Sequence, residues 1–123
     1  MKDLNWSSLS FGYMKTDYNV RCYYRNGKWG EIEICSDEYI NMHMAATCLH
    51  YGQEAFEGLK AYRCPDGKVR VFRMDENAKR LQSTCRGILM PELPTELFEE
   101  MVRKVVTLNQ EWIPTYESGA TLY

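Results

Sequence analysis

The chain has 123 residues, the size of one small domain, which is expected to bury roughly 65% of the surface its unfolded chain exposes. Its hydrophobic fraction of 45% and charged fraction of 26% are ordinary for a globular protein and argue against disorder. The net charge of −2 argues against nucleic acid as a partner, because such binding needs a clustered basic surface. The sequence has no long apolar run and no signal segment, so neither membrane insertion nor export is expected.

Cysteine and histidine usage argues against a metal site. His43 and His50 each stand alone, without a cysteine or carboxylate at metal-ligand spacing, and are expected to be structural. The cysteines are odd in number and lack C-x-x-C spacing, which disfavours a disulfide framework as well as zinc. We therefore expect no metal ion and a reducing, cytoplasmic setting. The cysteines are Cys22, Cys35, Cys48, Cys64 and Cys85.

Two short turn motifs predict β-hairpins. Asn26-Gly27 lies between Val20–Arg25 and Lys28–Ile34, which are rich in aromatic and β-branched residues. Asn-Gly accepts the positive φ angles of a type I′ turn, the most common two-residue hairpin connection. Asp66-Gly67 is predicted to repeat this turn between Leu59–Arg63 and Lys68–Arg73.

Apolar residues at helical spacing predict two main helices. The first covers Asp75 to about Leu89, with Asp75 as its N-cap. The second has Pro94 as its first residue and continues to Trp112, close to the next proline. Between the hairpins, residues 38–56 are expected to hold one short helical turn within a loop.

The remaining element is a strand that begins at Ala120 and is still in progress at Tyr123. No internal repeat or linker interrupts the chain, so residues 1–123 are expected to form a single domain. Together the elements predict a small α+β domain, with a twisted, mainly antiparallel sheet built from hairpins and two main helices.

Two sequence motifs identify a family. Leu49–Lys60 reads Leu-His-Tyr-Gly-Gln-Glu-Ala-Phe-Glu-Gly-Leu-Lys, and Phe72–Arg80 reads Phe-Arg-Met-Asp-Glu-Asn-Ala-Lys-Arg. Together they closely resemble the N-terminal domain of the branched-chain amino acid aminotransferases, fold-type IV enzymes that use pyridoxal phosphate. Met74 departs from the proline that is common after the first arginine of the second motif. The resemblance implies that residues 1–123 are the N-terminal lobe of a longer enzyme.

The resemblance also implies which residues bind the cofactor. In the family, the arginine at the place of Arg80 contacts the cofactor phosphate, a role that suits a planar guanidinium. Taken alone, a helical arginine beside carboxylates is more typical of a surface salt bridge. The catalytic lysine and the glutamate facing the pyridine nitrogen would lie in a C-terminal domain absent from this chain. We therefore expect no catalytic residue here, and we assign none of the lysines a catalytic role.

Four aromatic residues are expected to bind substrate. Tyr51 and Phe56 match the family's substrate-pocket residues, and Phe11 matches the N-terminal segment that closes the pocket. Tyr123 matches the tyrosine of a strand that the family reads Ser-Leu-Tyr-x-Arg-Pro, here Thr121-Leu122-Tyr123. A pocket for a branched side chain needs apolar walls together with hydroxyls that reach the carboxylate. Taken singly, each of these aromatics is more typical of an ordinary core residue.

The resemblance implies a homodimeric aminotransferase, with active sites that take residues from both subunits. It would transfer the amino group of leucine, isoleucine or valine to 2-oxoglutarate, and this chain alone would be inactive. D-amino acid aminotransferases and aminodeoxychorismate lyases share the fold and the phosphate arginine, and either is an alternative. A further alternative, from another class, is a non-catalytic binding module that works through an exposed aromatic face.

Overall fold

A computed structural model describes all residues from 1 to 123. The order of strands and helices is β1 (Asn19–Arg21), β2 (Tyr24–Arg25), β3 (Lys28–Trp29), β4 (Glu33–Cys35), α1 (Thr47–His50), β5 (Ala61–Arg63), β6 (Val69–Val71), α2 (Met74–Gly87) and α3 (Thr95–Leu108). Short 3-10 helices cover Trp6–Ser8, Gln110–Trp112 and Tyr116–Ser118. The expected α+β architecture of antiparallel hairpins and two main helices is confirmed, and α1 is the expected helical turn. No helix has the length and apolar character needed to span a membrane.

The first hairpin has the predicted turn but not the predicted continuous arms. Asn26 and Gly27 have φ angles of 53° and 79°, as a type I′ turn requires. Two residues separate β1 from β2, whereas three separate β3 from β4, so the returning arm carries one extra residue. This is a bulge, where the Gly30 N–H donates to the Tyr23 carbonyl. The strands on either side of the bulge therefore form two separate pairs, β1 with β4 and β2 with β3.

The second hairpin, β5 with β6, uses a different turn from the one predicted. Only Gly67 has a positive φ angle, 79°, and its N–H donates to the Cys64 carbonyl at 2.8 Å. Pro65 explains the difference, because its fixed φ of about −65° favours the first central position of an ordinary type I turn. The strand expected at 120–123 is reduced to one antiparallel bridge, in which Leu122 and Ala61 exchange two backbone hydrogen bonds.

Both main helices begin and end differently from the prediction. The N-cap of α2 is Arg73, in the left-handed region with φ of 49°, so Asp75 lies in the first turn and is not the cap. Pro94 precedes α3 rather than opening it, and its carbonyl accepts from the Phe98 N–H. The predicted continuous helix to Trp112 is also wrong, because α3 ends at Leu108 and a 3-10 turn follows.

A buried asparagine marks the end of α3. Asn109 is 2% exposed, and its side chain makes three hydrogen bonds. Its Oδ1 accepts from the Tyr18 N–H, while Nδ2 donates to the Tyr18 and Val105 carbonyls. Both polar atoms of the side chain therefore have partners, so its burial costs little free energy. The same bonds tie the start of β1 to the end of α3.

The core is thin. Helix α2 packs on α3, and α3 packs on β1. The exposed surface is 8979 Å², whereas a compact protein of this mass exposes roughly 6,900 Å². The chain thus buries about 57% of its unfolded surface, less than the roughly 65% expected. Leu89, the expected end of the first helix, lies beyond α2 and is 87% exposed. The buried residues are Ala61, Ala78, Cys85, Phe98, Asn109, Ile113 and Pro114.

Candidate functional site

The candidate site is built around a carboxylate, that of Glu57, on the segment that leads into β5. Its side chain is only 4% exposed. The carboxylate accepts hydrogen bonds from Arg80 Nε at 2.9 Å and from Asn77 Nδ2 at 2.8 Å, and it also contacts Arg80 Nη2. The hydrogen bond from Arg80 is the main reason why the pKa of Glu57 lies below its ordinary value, although burial acts in the opposite direction.

Helix α2 supplies both partners of this carboxylate from one face. Asn77 and Arg80 are three residues apart, so their side chains are neighbours on the helix surface. Asn77 Nδ2 also donates to the Gly58 carbonyl at 3.1 Å. The two α2 side chains therefore fix both the backbone and the acid of the segment that crosses them.

Arg80, the expected phosphate ligand, keeps part of its guanidinium free. Nε and Nη2 face the Glu57 carboxylate, whereas Nη1 has no hydrogen-bond partner in the protein. The side chain remains 66% exposed. Pairing with Glu57 raises the pKa of Arg80, so the guanidinium stays charged. Its remaining N–H groups can donate to an anion of tetrahedral shape.

Three of the four predicted substrate residues lie together. The ring of Tyr123 has its centroid 5.9 Å from that of Phe11 and 6.5 Å from that of Phe56. These are contact distances for tilted aromatic pairs. Phe11 and Phe56 are nevertheless 95% and 75% exposed, so the three rings form an open surface rather than a core. We call Phe11, Phe56 and Tyr123 the aromatic cluster.

The fourth residue, Tyr51, does not join the aromatic cluster. It follows α1, where its N–H donates to the Thr47 carbonyl, and its side chain is exposed. Its ring pairs with no other aromatic ring of the chain.

Gly58 lies between the aromatic cluster and the hydrogen-bonded group of Glu57, Asn77 and Arg80. A Cβ atom at this position would lie 2.6 Å from the Tyr123 hydroxyl, so only glycine leaves room for the tyrosine ring. A groove of about 280 Å³ runs beside the contact; it is lined by Gly58, Leu59, Lys60, Tyr62, Phe72, Asn77 and Tyr123. Glu57 thus lies between Phe56, a member of the cluster, and Gly58, which contacts Tyr123.

The histidines do not contribute to the site. His50 Nε2 contacts the Met44 carbonyl at 2.6 Å, and His43 Nδ1 accepts from the Ala45 N–H at 3.0 Å. Both rings are held by neighbouring backbone, as expected of structural histidines. No group of three histidine, cysteine, aspartate or glutamate side chains is arranged to hold a metal ion.

Sequence reasoning missed the roles of Glu57 and Asn77. Neither residue was among the predicted site residues. One signal was available: Asn77 and Arg80 lie three residues apart on α2, so their side chains share a face and can reach one acceptor. The identity of that acceptor, 20 residues before Asn77 in the chain, could not be found from spacing alone.

Comparison with known proteins finds aminotransferases. No protein-family model matches the chain. The branched-chain-amino-acid aminotransferase of Haemophilus influenzae is 50% identical over 123 residues, which is all of this chain and 36% of that protein. The protein of the same name from Helicobacter pylori is 45% identical, again over all of this chain and 36% of that protein. Aminotransferase atnJ of Emericella nidulans is 37% identical over 117 residues, 95% of this chain and 32% of that protein.

These relatives share a class: all three are aminotransferases by name, and the chain spans about a third of their length. Within that class, the chain matches the N-terminal region of the branched-chain amino acid aminotransferases over its whole length. The family resemblance inferred from the two motifs is confirmed at that level.

The contact between Gly58 and Tyr123 generates a prediction. In Gly58→Ala, the tyrosine hydroxyl must move by about 1 Å or more to restore ordinary contact distance, which separates the rings of Phe56 and Tyr123. Nuclear Overhauser effects between these rings are expected to weaken. In the control Gly87→Ala, where a Cβ meets nothing within 4 Å, they should persist. Equal spectra for both variants would show that Gly58 does not hold the tyrosine in place.

Proposed function

We propose that residues 1–123 are the N-terminal lobe of a pyridoxal 5′-phosphate-dependent branched-chain amino acid aminotransferase. The complete enzyme transfers the amino group of leucine, isoleucine or valine to 2-oxoglutarate, giving glutamate and a branched 2-oxo acid. The observation that carries this proposal is Arg80, a partly free guanidinium fixed on a buried carboxylate within one residue of the aromatic cluster. The identity to enzymes of this name over the whole chain supports it.

The residues present fit the phosphate of the cofactor. A phosphate dianion needs charged donors on a rigid frame, and Arg80 offers the unpaired N–H groups on Nη1. When bound, the cofactor supplies an electron sink for chemistry at the carbon that bears the amino group. The part of this chain is to hold the phosphate through Arg80 and so fix the position of the ring.

The aromatic cluster is the proposed wall of the substrate pocket. Phe11 and Phe56 offer apolar surface for a branched side chain, and the Tyr123 hydroxyl is a donor for a carboxylate. Tyr51 lies apart from these rings and is exposed, so we assign it to the pocket of a second subunit in a homodimer. Closing the pocket around the rings would also exclude water from the reacting groups.

The surface of the lobe supports a larger assembly. Its exposed area exceeds that of a compact protein of this mass by roughly 2,000 Å², more than one side of a standard protein interface. Many large hydrophobic side chains are exposed, and several of them follow β4: Tyr39, Ile40, Met44, Leu49 and Tyr51. We propose that these exposed residues are covered by the lysine-bearing lobe of the complete enzyme and by the second subunit. The free cysteines fit a cytoplasmic location.

Turnover by the full-length enzyme tests the proposed activity. With 2-oxoglutarate as acceptor, L-leucine, L-isoleucine and L-valine should each give glutamate, whereas residues 1–123 alone should give none. D-alanine and aminodeoxychorismate serve as competing substrates. Turnover of either one without turnover of the branched-chain amino acids would replace the proposed function with the corresponding related enzyme.

Replacement of Arg80 tests its assignment as the residue that binds the cofactor phosphate. In the full-length apoenzyme, Arg80→Ala should weaken pyridoxal 5′-phosphate binding by about 2–3 kcal/mol, or roughly 30- to 150-fold. The control is Arg86→Ala, which removes another exposed arginine of α2 from an ion pair with Glu92. Fluorescence titration gives both affinities. Equal affinity of the Arg80 variant and the wild type would remove this residue from the cofactor site.

A further inference from the structure

Glu57 differs from every other acid that forms an ion pair in this protein. Its side chain is 4% exposed, whereas the acidic partners of the other ion pairs are at least 24% exposed. Taking a carboxylate out of water costs several kcal/mol unless close partners replace the water. A surface pair that served only to balance charge would leave both groups in solvent. The burial of one partner alone therefore calls for a further explanation.

The geometry of the pair divides the guanidinium into two edges. Glu57 takes Nε and Nη2, the side-on edge, and leaves Nη1 without a partner. A guanidinium is planar, so fixing one edge also fixes the direction of the other. Asn77 holds the carboxylate from a second side and also grips the Gly58 carbonyl, which limits the freedom of the acid to turn. The acid is thus held more firmly than the arginine that it holds.

We propose that Glu57 is a positioning residue that directs the free edge of Arg80 towards the phosphate of the cofactor, with Asn77 as its support. This inference rests on the proposed function, since it assumes that Arg80 binds the phosphate. Glu57 touches neither cofactor nor substrate in this account and acts only through the arginine. Its effect is to remove the rotamer freedom that an exposed arginine would otherwise lose on binding.

The same contact has an opposite interpretation, in which Glu57 competes with the phosphate for one guanidinium. A carboxylate and a phosphate dianion repel each other, so an acid beside the site could weaken binding. The two accounts predict changes of opposite sign when the acid is removed. Positioning predicts weaker phosphate binding without Glu57, and competition predicts tighter binding.

The experiment measures the affinities of pyridoxal 5′-phosphate and pyridoxal for the full-length apoenzyme. The variants are Glu57→Ala, Glu57→Gln and Arg80→Ala, with Glu99→Gln as a control that makes the same change in the ion pair with Arg103. Positioning predicts that both Glu57 variants bind the phosphorylated ligand about tenfold more weakly, a loss typical of residues that orient a ligand-binding group. The affinity for pyridoxal should be unchanged, because pyridoxal has no phosphate for Arg80 to bind. Damage to the fold would instead weaken the binding of both ligands.

If Arg80→Ala loses phosphate-dependent affinity while the Glu57 variants keep it, the positioning role is wrong and the phosphate role of Arg80 stands. Tighter binding by the Glu57 variants establishes competition and also overturns positioning. A parallel loss for pyridoxal shows a purely structural role and rejects the proposal. If Arg80→Ala itself keeps full affinity, the phosphate assignment fails, and with it the basis of this inference.

Discussion

Glu57 buries its carboxylate where the segment before β5 crosses α2, and that burial constrains the rest of the site. An unpaired carboxylate in this place would be unstable, so the segment and the helix must meet in a register that presents Arg80 and Asn77 to it. The same register sets the position of Gly58, whose carbonyl bonds to Asn77. The guanidinium and the glycine are therefore located by one buried charge.

A second constraint brings Tyr123 close to Glu57 and Gly58. Leu122 and Ala61 form a backbone bridge, and the next residue, Tyr123, lies over Gly58 because no Cβ stands in its way. The tyrosine in turn meets Phe11 and Phe56, which are far apart in sequence. The result is an aromatic surface beside a charged group, still open to solvent. A thin core and an open aromatic face have the same explanation if another lobe completes both.

The sequence predicted what depends on local chemistry and missed what depends on distant partners. Asn26-Gly27 set its turn correctly because the positive φ angles are a property of those two residues. The same prediction for Asp66-Gly67 was wrong, because the neighbouring Pro65 favours an ordinary type I turn. The family motif singled out Arg80, whose cofactor role stays a prediction, yet the acid that holds this arginine lies in another segment. The end of α3 was missed because the buried Asn109 accepts a hydrogen bond from the Tyr18 N–H and donates one to the Tyr18 carbonyl, a contact that no helical pattern encodes.

The pKa of Glu57 in the full-length protein tests the central contact most directly, because its two causes have opposite signs. Pairing with Arg80 lowers the pKa of this carboxyl, and burial raises it. Carboxyl ¹³C shifts, followed through a pH titration and assigned with Glu57→Gln, give the value. The account predicts a pKa below the ordinary glutamate value in the wild type and an increase in Arg80→Ala. A wild-type pKa at or above the ordinary value, unchanged in that variant, would contradict it.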